Sequence, residues 1–145
     1  MSKKISVPLK LIELDNQSFH LLVEAEINSI PLNLIIDTGA SRTVFDRKIL
    51  RRSLKGRKLE MQNIQSAGIM ADQIESKMTV AEIFRIGDMQ LKNYPVIMIN
   101  LDAINKLYIK VAGEKIHGLL GCDFLLKMRA IIDYKKLLLI IRKPK

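Results

Sequence analysis

The chain has 145 residues, the usual size of one domain, with 24 Lys and Arg against 15 Asp and Glu and a formal net charge of +9. Its 48% hydrophobic residues and four Pro are typical of a globular protein and exclude a disordered or fibrous chain. The longest apolar runs, such as Leu137 to Ile141, fall far short of the roughly 20 residues of a membrane-spanning helix. We therefore expect a single domain over residues 1–145 and no membrane partner.

The cysteine content and the N-terminus both bear on location. Cys122 is the only cysteine, so no disulfide can form within the chain, which fits a reducing compartment. The N-terminus begins with basic residues, but Glu13 and Asp15 come before any sustained apolar stretch, so we expect no secretory signal. The expected location is the cytoplasm.

Apolar and polar residues alternate near the start of the chain, as they do in strands with one buried face. This pattern predicts strands over residues 7–11 and 19–27. A third strand, Pro31 to Ile36, runs directly into Asp37. The chain then turns at Gly39, where glycine makes a sharp turn inexpensive.

A basic helix is predicted next, from Arg47 to Leu54, with Asp46 placed to cap it. Its apolar residues Ile49 and Leu50 give only a narrow stripe, so we expect the charges to form a solvated face. A nucleic-acid surface is the alternative interpretation. Neither this cluster nor the basic C-terminal tail is interleaved with stacking aromatic residues, so nucleic acid is not an expected partner.

The rest of the chain predicts a mostly β fold with two or three short helices. Residues 66–73 bear one glycine and could form a hairpin tip. The other predicted elements are strands Lys58–Gln65, Ser76–Ile86, Met89–Leu91 and Tyr94–Ile99, helices Leu101–Leu107 and Asp123–Met128, and a closing hairpin of Ala130–Tyr134 with Leu137–Arg142.

Asp37 is the first candidate for chemistry, because it follows an apolar strand and precedes Thr-Gly-Ala-Ser. An acid at the end of a buried strand is costly unless its surroundings satisfy it, and such costs are concentrated at functional sites. An isolated Asp-Thr-Gly is also compatible with an aspartate that only caps a turn.

A second feature favours the functional interpretation. Leu119 and Leu120 lie between Gly118 and Gly121, forming an apolar strand end ahead of a predicted helix. This segment could cross the chain that leaves the Asp37 motif. Two matched features in one sequence are much rarer than one.

Through residues 35–41, Ile-Ile-Asp-Thr-Gly-Ala-Ser, and 117–125, His-Gly-Leu-Leu-Gly-Cys-Asp-Phe-Leu, the sequence resembles the retropepsin-like aspartic proteases, in the form of their bacterial members. The resemblance extends in element order from about Phe19 to Ile141. It implies a mostly β acid protease fold, in which a closed, barrel-like half carries one or two short helices. It also implies an aspartic endopeptidase that acts as a homodimer on extended peptides.

The resemblance assigns roles to the first motif. It implies that Asp37 is the catalytic carboxylate, that Thr38 hydrogen-bonds across the dimer, and that Gly39 lets the substrate backbone approach. Ala40 and Ser41 would support the loop. The chemistry needs two carboxylates that share a proton, and the chain has one Asp-Thr-Gly, so a symmetric dimer would supply the pair. Activity is then expected on the acid side of neutrality.

The flap, a hairpin that closes over substrate in this family, is assigned to the tip around Gly68, Ile69 and Met70. Ile69 and Met70 could touch substrate or pack on the hairpin. Leu119, Leu120 and Gly121 form the second motif of the resemblance. A catalytically silent peptide-binding or dimerisation module with the same fold is the alternative function.

Four other residues invite functional interpretations that we set aside. Asp133 also ends an apolar run, but without Thr-Gly after it we interpret it as a turn-forming acid. Asp123 is predicted to cap the following helix, and Cys122 to be a buried small hydrophobic residue rather than a nucleophile. His117 is predicted to be a packed or surface residue. With no Cys or His at ligand spacing, we expect no metal and no cofactor.

Overall fold

The computed structural model describes residues 3–15, 17–54, 62–63 and 77–144. No helix within these residues is long and apolar enough to cross a membrane. The strands are β1 (Lys4–Asp15), β2 (Ser18–Ile27), β3 (Ile30–Ile36), β4 (Val44–Asp46), β5 (Gln62–Asn63), β6 (Lys77–Ile86), β7 (Met89–Ile99), β8 (Gly118–Leu120), β9 (Ile131–Asp133) and β10 (Leu138–Arg142). The helices are α1 (Arg47–Ser53), α2 (Asp102–Ala112) and α3 (Cys122–Lys127).

Six of these strands close into a barrel in the order β2, β3, β8, β4, β7 and β6. The ring is completed where β6 returns to β2, pairing Arg85 with Glu26 and Phe84 with Ile27. Closure leaves no free edge within the ring. The predicted mostly β, barrel-like fold is therefore confirmed, although the described residues hold three helices rather than one or two.

The barrel core follows from alternation along its strands. At the end of β6, Phe84 and Ile86 are buried while Ile83 and Arg85 are exposed, because successive side chains of a strand point to opposite faces. Inside the barrel, the fully buried ring of Phe84 lies 5.4 Å from that of Phe45 and 5.9 Å from that of Phe124. These tilted and edge-to-face pairs join the sheet to α3.

A short sheet extends from the barrel beyond β2. One half of β1 pairs with β2 and the other half with β10, which in turn pairs with β9. The predicted closing hairpin is therefore confirmed. Its turn is held by the Asp133 carboxylate, which accepts hydrogen bonds of 2.9 Å from the backbone N–H groups of Lys135 and Lys136. Asp133 is a turn-forming acid, as predicted.

Helix α1 begins after Asp46 as predicted, but the expected side-chain cap is wrong. The N-cap Asp46 makes no side-chain capping bond. Its buried carboxylate instead accepts a hydrogen bond from the backbone N–H of Leu101, 3.1 Å away, just before α2. The carboxylate bonds this distant N–H rather than the N-terminus of α1 because a buried carboxylate and a buried N–H satisfy each other there. The charges of α1 lie on its exposed side, as with Lys48, while Ile49 and Leu50 are buried.

Two other predicted elements differ in length. Helix α2 runs to Ala112 rather than Leu107 and ends at Gly113, whose left-handed φ of 67° suits a helix C-terminus. The two strands predicted before it are one continuous strand, β7. Strand β7 stays paired with β6 on both sides of Asn93 and at Pro95, where the sequence alone predicts a break between two strands.

Candidate active site

The two sequence motifs meet at β8. Strand β3, which leads into Asp37, runs parallel to β8 and sets Ile36 opposite Leu120. Strand β4, which follows the Asp37 loop, runs antiparallel on the other side and sets Val44 opposite Leu119. The second motif therefore lies between the two strands that flank the first, and the predicted crossing is confirmed.

Hydrogen bonds from its backbone N–H groups fix the loop from Asp37 to Ala40. The Asp37 N–H donates to the Leu120 carbonyl at 3.0 Å, and the Ala40 N–H donates to the Asp37 carbonyl at 3.1 Å. The Gly39 N–H donates to Oδ1 of the Asp37 carboxylate at 2.9 Å. The half-buried carboxylate is thus oriented at one oxygen by the loop, while Thr38 and Ser41 are exposed.

The two glycines of the second motif, Gly118 and Gly121, are required because the backbone of other segments lies very close to them. A Cβ atom on Gly121 would lie 2.6 Å from the carbonyl carbon of Arg42, and one on Gly118 would lie 2.4 Å from the Val44 carbonyl oxygen. No side chain fits at either distance without moving backbone. The glycines therefore let the Asp37 loop and β4 pack directly against β8.

Asp123 is not the helix cap that the sequence predicts, since α3 has Gly121 at its N-cap position. Its Oδ1 atom accepts hydrogen bonds of 2.8 Å from both the N–H and the hydroxyl of Thr43. Thr43 is fully buried, so its donors need an acceptor inside the protein. The carboxylate of α3 thereby anchors the end of the Asp37 loop.

Cys122 is half-buried rather than buried, which corrects the prediction. As the first residue of α3 it lies beside the Asp37 loop: its N–H donates to the Ala40 carbonyl at 2.8 Å, and its Sγ lies 2.9 Å from the Thr38 carbonyl oxygen. The residue faces the loop rather than the core. It therefore helps to support the predicted catalytic loop.

His117 is packed, which is one of the two environments predicted for it. Its Nδ1 accepts a hydrogen bond of 2.9 Å from the Asn33 N–H. Burial lowers the pKa of His117, and Lys115 and Arg52 lower it further against the opposing effect of Asp46. A neutral ring is what the bond from Asn33 requires, because only an unprotonated Nδ1 can accept.

Asp37 opens on a pocket of about 240 Å³ whose apolar walls include Phe19, Ile35 and Leu119. Asp37 is the only carboxylate that lines this pocket within the described part of the chain. No group of three His, Cys, Asp or Glu side chains among the described residues could hold a metal ion. The pocket thus presents one carboxylate beside both apolar and polar side chains.

Sequence reasoning missed two residues of this pocket, His20 and Tyr108. The Tyr108 hydroxyl lies 2.8 Å from Nδ1 of His20, and burial followed by the charge of Asp37 raises the pKa of Tyr108. The two residues are 88 positions apart, so no local pattern joins them. A histidine within the apolar alternation of β2 is the one signal that could have drawn attention.

The predicted flap residues Gly68, Ile69 and Met70 lie outside the described residues. The other predicted site residues do come together. Residues 37–41 form one loop, whose Asp37 N–H donates to the Leu120 carbonyl, and the following residue, Arg42, packs against Gly121.

Solved structures of similar fold include two proteases and one retroviral protease-like domain. A retropepsin-like aspartic protease from Rickettsia conorii has a TM-score of 0.56 and 19% identity, over 99% of this chain and 93% of that chain. The retroviral protease-like domain of Ddi1 from Leishmania major gives 0.59 and 16%, over 84% and 87%. EIAV protease, solved in complex with the inhibitor HBY-793, gives 0.57 and 18%, over 82% and 97%.

At these identities the structures show a common fold. No curated protein sequence matches the chain significantly. The sequence profile of the aspartyl protease family does match, over residues 23–124, a span that includes both the Asp37 loop and the second motif. The chain therefore belongs to the aspartyl protease family, and its fold is retropepsin-like.

Proposed function

We propose that the protein is an aspartic endopeptidase that hydrolyses peptide bonds between two Asp37 carboxylates, one from each chain of a homodimer. The observation that carries the proposal is the setting of Asp37. Its carboxylate is held by the Gly39 N–H at 2.9 Å in a loop braced by the second motif, and it opens on a pocket with no other carboxylate among the described residues.

Two carboxylates that face each other cannot comfortably ionise together, so they share one proton. The ionised Asp37 takes a proton from a water molecule, whose oxygen attacks the carbonyl carbon of the peptide bond. The protonated Asp37 gives its proton to the carbonyl oxygen, and a gem-diol forms. When the diol collapses, the C–N bond breaks, the Asp37 that is now protonated donates its proton to the nitrogen, and the Asp37 that is now ionised takes a proton from a hydroxyl of the diol.

The surface around the pocket supports association of two copies. Phe19 and Tyr134 line the pocket yet are 53% and 69% exposed. Next to Tyr134, β9 pairs with β10 alone among the described strands and carries Ile131, which is 59% exposed. Large exposed apolar residues beside a free strand edge are typical of a protein interface. We place the dimer interface here, where the exposed Thr38 could also reach the partner chain.

The substrate is an extended peptide or protein segment, because extended backbone can pair with strands on both sides of a cleft. Gly68, Ile69 and Met70 would cover it as a flap. The enzyme needs no cofactor in this mechanism, since carboxylates and water supply every proton transferred.

The test compares enzymes in which one strand-end aspartate is replaced. Cleavage of a peptide library between about pH 4 and 7, the acid range for a shared-proton pair, should rise faster than linearly with wild-type enzyme concentration. It should vanish in Asp37→Asn and persist in Asp133→Asn, whose aspartate holds a turn. If no peptide is cut at concentrations where sedimentation shows dimers, the chain is a silent binding module.

A further inference from the structure

Helix α2 leaves four large apolar side chains in solvent. Ile104, Leu107, Ile109 and Val111 are 38%, 54%, 52% and 43% exposed. A single exposed apolar residue is ordinary in a folded protein, whereas a contiguous group of them marks a surface that binds another molecule. The outer side of α2 is therefore a candidate for such a surface.

The inner side of α2 is held by buried contacts. Oδ1 of Asn105, which is 6% exposed, accepts a hydrogen bond of 2.8 Å from the Ile116 N–H. The Tyr108 hydroxyl lies 2.8 Å from Nδ1 of His20, and Tyr108 packs in an apolar cluster with Ile12 from β1. The exposed apolar residues cannot turn inward without breaking these contacts, so their exposure belongs to the native fold.

Three of the exposed residues form one apolar stripe. Ile104, Leu107 and Val111 are three and four positions apart, so they lie on one face of the helix. None of the three lines the Asp37 pocket. Lys106 and Lys110, which are exposed and four positions apart, form a basic row beside the stripe. An apolar stripe flanked by lysines is the pattern of a helix that lies on a membrane surface.

Helix α1 adds positive charge at the start of α2. Nζ of Lys48 lies 3.0 Å from Oδ1 of Asp102, the first residue of α2. A hydrogen bond from Lys48 lowers the pKa of Asp102 against the opposing effect of burial, and the charges of Lys48, Arg47 and Lys106 lower it further. The two helices hold six Lys and Arg against this one acid, and thereby more than half of the net charge of +9. The surface is strongly cationic as well as apolar.

An anionic bilayer is the partner that uses both features. A second copy of the chain would bring the same cations together and be repelled. Nucleic acid would pair with the cations but gain nothing from the stripe, which has no stacking aromatic residue. At a bilayer, apolar side chains enter the boundary between headgroups and acyl chains, while lysines and arginines meet the anionic headgroups.

We infer that α1 and α2 form a surface that docks on a membrane containing anionic phospholipid, with Leu107 at the centre of the apolar contact and the basic residues of both helices on the headgroups. Contact with a bilayer surface needs no spanning helix, so the short apolar runs, from which we expected no membrane partner, do not argue against it. Docking would keep the Asp37 pocket near the bilayer, because Tyr108 of the same helix lines that pocket.

The experiment measures sedimentation of the full chain with vesicles of phosphatidylcholine, alone or mixed with phosphatidylserine. Wild type should bind only the mixed vesicles, and more weakly as salt is added, because salt screens charges at the surface. Leu107→Gln should bind them about tenfold more weakly, as expected when one leucine side chain is withdrawn from hydrocarbon. Ile83→Gln is the matched control: Ile83 is 43% exposed on β6, and its variant should stay within about twofold of wild type.

A second pair of variants tests the charge. Lys106→Gln/Lys110→Gln should weaken binding to the mixed vesicles about twentyfold, since each lysine close to an anionic surface contributes about fivefold. Lys4→Gln/Lys92→Gln lowers the net charge equally at exposed positions on β1 and β7. This control should weaken binding less than about threefold, because its charges lie away from the contact and are screened.

Polyglutamate, an anionic chain without hydrocarbon, separates a bilayer from an acidic protein partner. If it binds as tightly as the mixed vesicles and Leu107→Gln changes neither affinity, the surface recognises acidic protein segments and the inference is overturned. The same conclusion follows from no binding to mixed vesicles, from equal binding to both vesicle types, or from variants that match their controls. Vesicle binding needs no cleavage, so its outcome is independent of whether the chain is a protease.

Discussion

The Oδ1 atom of Asp123 accepts two hydrogen bonds from Thr43, one from its N–H and one from its hydroxyl, each 2.8 Å long. The Thr43 hydroxyl oxygen in turn accepts a bond of 3.1 Å from the Gly121 N–H. One threonine therefore ties the end of the Asp37 loop to both the second motif and α3. The position of Asp37 depends on this junction, although neither Thr43 nor Asp123 contacts its carboxylate.

Thr43→Val keeps the shape of the side chain and removes its hydroxyl. The Gly121 N–H then loses its acceptor in a buried position, so we expect the free energy of unfolding to fall by about 1–3 kcal/mol. Urea denaturation measures the loss, and Ser6→Ala, at an exposed site on β1, should change it by less than about 0.5 kcal/mol. Equal stability of the two variants would mean that the junction contributes nothing.

A pair of glycine variants tests the close approach of the two motifs. In Gly121→Ala the new Cβ would lie 2.6 Å from the Arg42 carbonyl carbon, and we expect a loss of about 3 kcal/mol or more, or no folding. Gly113 has nothing within 4 Å, so Gly113→Ala should cost only about 1–2 kcal/mol for its left-handed φ. If urea denaturation showed similar losses of stability in the two variants, the contact of the new Cβ with Arg42 would be relieved at little cost.

Sequence reasoning found what local pattern encodes. Alternation predicted strands within β1 and β2, and the strand-to-turn position of Asp37 identified the loop. The crossing at β8 was also predictable, because glycines flank a short apolar strand. The two strands, the loop and the short apolar strand each depend on residues close together in the chain.

Long-range partners were missed because their signals are divided between distant segments. Asp46 and Asp123 were predicted as helix caps, yet their carboxylates bond Leu101 and Thr43 across the fold. A buried donor elsewhere competes with the helix terminus, and sequence spacing does not show where it lies. The Tyr108–His20 contact was out of reach for the same reason.

Acid should weaken the fold through His117. Burial lowers its pKa below the ordinary value of about 6.5, and the Asn33 N–H needs an unprotonated Nδ1. Below pH 6.5 the unfolded chain therefore binds more protons at this residue than the folded chain does. Stability should fall as the pH drops from 6.5 toward the lowered pKa, by at most about 1.4 kcal/mol per pH unit, and level off below it.

His117→Asn keeps an acceptor near the position of Nδ1 but cannot titrate. Urea denaturation of both proteins between pH 7 and about 5 should show a smaller decline in the free energy of unfolding for the variant. The two slopes should differ by at most the equivalent of one bound proton, about 1.4 kcal/mol per pH unit. Identical slopes would mean that His117 binds protons equally in both states. The smaller decline would also mean that the fold loses stability in the same acid range where a shared-proton carboxylate pair works.

The proposed interface is tested by a charge on the free edge of β9. Ile131→Lys should weaken dimerisation at least about tenfold, because two-fold symmetry repeats the lysine on both chains while apolar contact is lost twice. Sedimentation measures the dissociation constant, and peptide cleavage should fall at low enzyme concentration and recover at high concentration as mass action restores the dimer.

Ile83→Lys is the matched control, since Ile83 is 43% exposed on β6 and lines no part of the Asp37 pocket. Unaltered dimerisation of Ile131→Lys, with weakened dimerisation of Ile83→Lys, would move the interface from β9 to β6 and separate it from the Asp37 pocket.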